Sequence, residues 1–360
     1  MNPGSMLTFA AGVAVLILGA ELLVRGATRI ATRTGLSSVV IGLTVVAFGT
    51  STPELAVSAS AALDGNGDIA IGNVVGSNIV NVLLILGISA VIGGGLVVAQ
   101  RIVRIDVPLM IGAALLVMGL STGGVISRPE GLILAGLLLA YTVWTVRSAR
   151  REDPAIVAEY DDAFDPDTLR RAPVVADVAL VLVGLTALIT GGRWLVSAAS
   201  TIATDLGASD LIIGLTVVAA GTSMPELATS VIAALRGERD IAVGNVVGSN
   251  LFNLLGVLGV SAALAPQGLA VLDSARSFDL PVMTVVAVAC LPVFVSGHLL
   301  TRWEGAVFVA YYLAYVTYLV LDAVDATSFE PFRIALVAFV APLTVLTLVV
   351  VAVRGRRPVI

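Results

Sequence analysis

The sequence predicts an all-α membrane protein made of two inverted-topology repeats of five transmembrane helices plus one extra C-terminal helix. Three observations predict it. Apolar residues make up 58% of the 360 residues and charged residues only 12%, with a mean hydropathy of +1.03, which is more apolar surface than a soluble core could hide. Eleven stretches approach the roughly 20 apolar residues that a spanning helix needs. A shift of 172 residues aligns Val39 to Gly87 with Leu211 to Gly259 without a gap, and 33 of the 49 positions are identical.

In chain order the apolar stretches lie near 6–24, 36–62, 69–95, 105–121, 130–147, 173–200, 209–235, 241–264, 278–296, 303–321 and 333–353. They group into a first five-helix unit (1–147), an acidic cytoplasmic linker (148–172), a second unit (173–321) and an extra C-terminal transmembrane helix with a basic tail (322–360). No basic residue precedes the first stretch, and Arg25, Arg29 and Arg33 follow it. That charge order fits a retained helix with its N-terminus outside, not a cleaved signal. With this orientation the inside loops collect 16 of the 20 basic residues, all of them Arg, giving the expected cytoplasmic bias over about 11 spans. Matching loops differ in the right direction: Asp64 to Asp68 holds no Arg where Arg236 to Asp240 holds two. Five spans per unit therefore turn the second copy upside down, an arrangement typical of secondary transporters with sites near the midplane. In the first helices of the two units, Glu21 aligns with Arg193, a reversal of charge.

Other chemistries find little support. Cys290 is the only cysteine and lies in an apolar stretch, so neither an intrachain disulfide nor a thiolate metal site is available. The sole histidine, His298, is far in sequence from any acidic cluster. Gly65-Asn66-Gly67-Asp68 matches the G-x-G-D pattern of intramembrane aspartyl proteases, but the only Tyr-Asp pair, Tyr160-Asp161, falls in the acidic linker. No enzyme activity, cofactor or nucleic-acid partner is expected. The expected setting is the cell membrane, multi-pass, in a lipid bilayer, with the oligomeric state open.

The motif segments 39–87 and 211–259 carry the chemistry. The first reads GLTVVAFGTSTPEL then GDIAIGNVVGSNIVNVLLILG, the second GLTVVAAGTSMPEL then RDIAVGNVVGSNLFNLLGVLG. Glu54 and Glu226 occupy matching positions deep in apolar spans, where a carboxylate costs at least about 2.5 kcal/mol. A bound cation is the simplest compensation. Thr50 and Thr222 stand one helical turn before the glutamates, on the same face, with Ser51 and Ser223 beside them. Pro53 and Pro225 lack an N–H, so carbonyls near Ala47 to Thr50 and Ala219 to Thr222 are expected to lose helical partners and become possible ligands. Ser77 and Asn81, and likewise Ser249 and Asn253, share one face of each following helix. The set is all oxygen, which suits hard cations such as Ca2+ with its six to eight oxygen ligands. Asn73, Asn78, Asn245 and Asn250 are assigned to interhelical hydrogen bonds, and Gly72, Gly76, Gly244 and Gly248 to close helix approach.

GTSxPE followed by GNVVGSNxxN, present twice in opposite orientation, resembles the alpha repeats of the sodium/calcium exchanger family within the cation/calcium antiporter superfamily. The resemblance implies ten core helices, a central Ca2+ site bracketed by Na+ sites, and alternating access by sliding of the first helix of each half. It implies as ligands Glu54 and Glu226, Thr50 and Thr222, Ser51 and Ser223, Ser77 and Ser249, Asn81 and Asn253, with the carbonyls of Ala47 and Ala219. Asn253 stands where archaeal relatives often carry Asp. Ca2+ and Na+ are then the expected transported ions, with a Ca2+/H+ or K+-dependent exchanger as the alternative. Leu55 and Leu227 follow the motif glutamates where proton-coupled relatives carry His, which favours Na+.

Overall fold

A computed structural model describes residues 3–149, 174–206, 219–295, 297–324 and 329–335. Nearly all of the linker, the first eight residues of the second motif and most of the eleventh apolar stretch lie outside these residues. The helices are α1 (Pro3–Thr34), α2 (Ser38–Thr50), α3 (Thr52–Leu63), α4 (Gly67–Ile92), α5 (Ile102–Gly123), α6 (Arg128–Ala149), α7 (Val174–Asp205), α8 (Met224–Leu235), α9 (Arg239–Leu264), α10 (Ala275–Val295), α11 (Arg302–Ala323) and α12 (Phe329–Ala335). One further helical turn, Ala219–Gly221, precedes α8. Among the described residues eight helices are long and apolar enough to span a bilayer, or nine if the bent pair α2 and α3 counts as one span. The fold is all-α and membrane-spanning. Large apolar side chains such as Leu132, Leu139, Val175 and Val285 face outward, as a lipid-facing surface requires, whereas α9 is enclosed along its whole apolar window.

α1 and α7 each run 32 residues. At 1.5 Å per residue that is about 48 Å, well beyond the roughly 30 Å hydrocarbon core. Their apolar stretches are shorter, but α1 runs on through Gly26, which packs against α7, to Gly35, whose φ of +65° ends it in the left-handed conformation that glycine adopts without penalty. The two helices pack antiparallel, backbone against backbone, through glycines seven residues apart. A methyl on Gly19 would lie 2.7 Å from the Leu188 nitrogen and 2.9 Å from the Gly184 oxygen; one on Gly184 would lie 2.6 Å from the Leu23 nitrogen and 2.8 Å from the Gly19 oxygen. Where α1 ends, Arg29 and Arg33 flank the fully buried Asp177 near the start of α7, at 3.6 and 2.5 Å.

The second predicted span, 36–62, is two helices meeting at 46°. Ser51 sits at the joint with φ −83° and ψ 7°, and Pro53 occupies the first turn of α3, where its missing N–H is tolerated. Elsewhere the hydrogen-bond ladder widens to π-helical turns at matching places in the two halves, Val80–Leu86 with Phe252–Val257 and Ile102–Asp106 with Ala275–Asp279. Such bulges recur at functional sites, and here Asn81 and Asn253 lie within one each.

Contacts between the halves come in reciprocal pairs. The short strands β1 (Leu96–Val97), β2 (Val125–Ile126), β3 (Leu269–Ala270) and β4 (Leu299–Leu300) join as β1 with β4 and β2 with β3, both antiparallel. Within each half a matching bond recurs: Tyr141 donates to Asp106 at 2.9 Å, and Tyr315 to Asp279 at 3.0 Å. Each pattern in one half returns in the other, as an approximate two-fold relation demands.

Candidate ion-binding site

The site forms where α2, α3 and the start of α8 meet α4 and α9. Glu54 lies in the first turn of α3 and Glu226 in the first turn of α8. Both side chains are fully buried, together with Thr50, Ser51, Asn81, Ser223, Ser249 and Asn253, while Ser77 and Ala47 keep 1% exposure. Thr222 is half-buried. Ala219 opens the turn before α8.

The glutamates are bonded across the repeat boundary. Ser51 Oγ donates to Glu226 Oε1 at 2.9 Å, and Ser223 Oγ donates to Glu54 Oε1 at 3.1 Å. Ser51 and Ser223 stand at the two matching helix breaks, so each bend presents a hydroxyl to the other repeat's carboxylate. Thr50 also approaches Ser249, with the two hydroxyl oxygens 3.5 Å apart.

Several predicted site atoms have no protein partner among the described residues: Glu54 Oε2, Glu226 Oε2, Ser77 Oγ, Asn81 Oδ1 and both polar atoms of the Asn253 amide. Buried polar atoms are nearly always hydrogen-bonded. One oxygen of each carboxylate thus engages the other repeat and the second is left for something else. A hard cation fits such a donor set.

Pro53 has no N–H to give the carbonyl four residues back, which is that of Gly49. The carbonyl of Ala47 still accepts the Ser51 N–H at 3.0 Å and is reached by the Thr50 hydroxyl at 3.4 Å. It is not released from its helix, and any further contact uses its remaining lone-pair density.

Asn73 and Asn245 make the expected interhelical bonds, but at the edge of the site itself. Thr50 donates to Asn245 at 3.1 Å and Thr222 to Asn73 at 3.2 Å. The pattern G-N-V-V-G-S-N marks these residues as repeated and places each asparagine one turn before Ser77 or Ser249 on the same helix face, so that Thr50 reaches both Asn245 and Ser249. Only the crossing of α2 over α9 brings Thr50 to Asn245. Asn81 donates to Asn250 at 3.0 Å, whereas Asn78 bonds within its own helix, to Val74 at 2.7 Å. Gly244 and Gly248 do permit close approach, since methyls there would come within 3.0 and 2.8 Å of α2. No described atom lies within 4 Å of a methyl built on Gly72 or Gly76.

A membrane-spanning helix bundle of two repeats, with a matched pair of buried carboxylates bonded across the repeat boundary, fits the class of secondary cation transporters. The family described as "Sodium/calcium exchanger protein" matches residues 4–147 and 177–321, and the chain belongs to that family. The CaxA protein of Alkalimonas amylolytica is 39% identical over 311 residues, 84% of this chain and 95% of that one. Sodium/calcium exchanger MaX1 of Methanosarcina acetivorans is 32% identical over 335 residues, again covering 84% and 95%. Among solved structures, the sodium-calcium exchanger NCX_Mj soaked with zero Na+ and Ca2+ superposes with a TM-score of 0.74 at 31% identity, covering 89% of this chain and 100% of that one. The protein is therefore a multi-pass membrane antiporter of the cation/Ca2+ type and not an enzyme.

Proposed function

We propose that the chain exchanges Ca2+ for Na+ by alternating access, with the ions held between the repeats by Glu54 and Glu226. The hydroxyls of Thr50, Ser51, Ser77, Thr222, Ser223 and Ser249, the amide oxygens of Asn81 and Asn253, and the carbonyls of Ala47 and Ala219 complete the donor set. The observation that carries this reading is the matched pair of buried glutamates, each with one oxygen bonded across the repeat boundary and the other unpartnered among the described residues. Two carboxylates in a low-dielectric site balance one divalent ion or two monovalent ones, so Ca2+ and Na+ compete for the same charge. Hydroxyls and amides do not titrate near neutral pH but do coordinate Na+, and Leu55 and Leu227 offer no further titratable group beside the glutamates. Neutral Asn253 supplies no additional charge for K+. The Arg distribution supports a topology with the N-terminus outside and 148–172 in the cytoplasm.

The test is Ca2+ uptake into proteoliposomes loaded with Na+ or K+ at clamped pH, against liposomes carrying only a pH gradient. Uptake that requires internal Na+ is expected. Uptake driven by the pH gradient and indifferent to Na+ would replace this reading with Ca2+/H+ exchange.

A further inference from the structure

We propose that Asn73 and Asn245 are positioning residues that orient the threonine hydroxyls of the opposite repeat so that each presents lone pairs, not its proton, to the transported ion. The proposal rests on the reading of Thr50 and Thr222 as ion ligands.

The orientation of each amide is fixed by chemistry. Asn245 Nδ2 faces the Glu226 main-chain oxygen at 3.4 Å and Ser230 Oγ at 2.9 Å. Asn73 Nδ2 faces the Glu54 main-chain oxygen at 3.3 Å and Ser58 Oγ at 2.9 Å. A carbonyl oxygen can only accept, so the NH2 end must point at it and the amide oxygen must point the other way. That oxygen meets Thr50 in one copy and Thr222 in the other, at 3.1 and 3.2 Å. An amide oxygen cannot donate, so the threonine hydroxyl must. With its single proton committed, the hydroxyl keeps its lone pairs for another partner.

The same three contacts recur within 0.1 Å in the two copies; the asparagine–threonine contacts join residues 195 and 149 positions apart, the others residues 19 and 15 apart within one repeat. Each asparagine therefore ties the backbone of its own repeat's glutamate to the side chain of the other repeat's threonine. Without it, the Thr50 proton would turn elsewhere. The Ala47 carbonyl at 3.4 Å, the Ser249 hydroxyl at 3.5 Å and the Glu226 carboxylate are the alternative acceptors, and donation to any of them would occupy density otherwise available to an ion. The two copies differ in burial: Asn245 and Thr50 are fully enclosed, Asn73 and Thr222 half-buried.

The experiment is a set of double-mutant cycles read as the Ca2+ concentration giving half-maximal Na+-driven uptake. Thr50→Val and Asn245→Ala should each raise it about tenfold, the scale of one hydrogen bond, and the double variant should be no worse than the poorer single. Asn245→Ala combined with Thr222→Val, by contrast, should multiply the two effects. Multiplication in the Thr50 cycle, or the same lack of it in both cycles, would overturn the positioning role, the latter because it signals general damage. If Thr50→Val alone leaves Ca2+ dependence unchanged, the ligand reading beneath the proposal is what fails. Should Asn245→Ala not fold, the half-buried Asn73 with Thr222 carries the same cycle with the same outcomes.

Discussion

Ser51 and Glu226 are 175 residues apart in sequence and 2.9 Å apart in space, hydroxyl to carboxylate, with the repeat-related contact from Ser223 to Glu54 at 3.1 Å. Each carboxylate is thus held by the repeat that does not carry it. Ser51→Ala and Ser223→Ala should each raise the half-saturating Ca2+ concentration by roughly tenfold or more, because a hydrogen bond to a charged group contributes about 1.5–3 kcal/mol. The check is uptake measured over a range of Ca2+, normalised to incorporated protein. Unchanged Ca2+ dependence in both variants would mean that these contacts do not hold the ion-binding carboxylates.

The α1 and α7 glycines give a stability prediction. Gly19→Ala and Gly184→Ala drive a methyl into backbone atoms of the facing helix, and overpacking of this kind costs about 1–3 kcal/mol. Gly112→Ala and Gly136→Ala, where a methyl meets nothing within 4 Å, should be neutral or stabilising by about 0.5–1 kcal/mol through helix propensity. Thermal unfolding in detergent distinguishes them: the first pair should lower Tm and the second should not. Equal shifts in all four would remove the close-packing account.

Glu21 on α1 is bonded by Arg236 at 2.6 and 3.0 Å, and also pairs with Arg25. The repeat shift places Arg193 at the position of Glu21 and Asp64 at that of Arg236, with charges exchanged, and those two form no ion pair with each other. We expect the Glu21–Arg236 bridge to close in one stage of transport and open in the other. Arg236 is 55% exposed, so neutralising either partner should change the exchange rate only a few-fold, and the swap Glu21→Arg with Arg236→Glu should restore it. Rates unchanged in all three variants would leave the bridge without a role in transport.

For topology, a cysteine at Ser148 should react with a membrane-impermeant reagent only after the cytoplasmic face is opened. Cys290 is buried in α10 and gives little background. Labelling from outside intact cells would reverse the proposed orientation of both halves.

Much of this was legible in the sequence because it follows from composition and spacing. The apolar spans, the 172-residue repeat and the GTSxPE helix break are local patterns, and they led to Glu54 and Glu226 directly. What was not legible depends on which helices cross. Ser51 was expected beside Glu54, but it bonds Glu226. Asn73 and Asn245 stand one turn from Ser77 and Ser249 on the same helix faces, but that each would accept from a threonine of the opposite repeat depends on which helices cross. The heptad of glycines at 12, 19 and 26, met by 184 and 191, is visible in retrospect, but a glycine signals close approach only once its partner is known. The lengths of α1 and α7 exceeded their apolar stretches because helix termination follows backbone breakers, not the limit of hydrophobicity.

The most direct test of the two-glutamate site is Na+-driven Ca2+ uptake by Glu54→Gln and Glu226→Gln in proteoliposomes, with insertion and folding verified for each. Either substitution keeps the size and hydrogen-bonding capacity of the side chain and removes one charge, and one carboxylate cannot balance a divalent ion in a buried site. Both variants should insert normally and lose Ca2+ transport. Near-normal flux in either one would contradict the account.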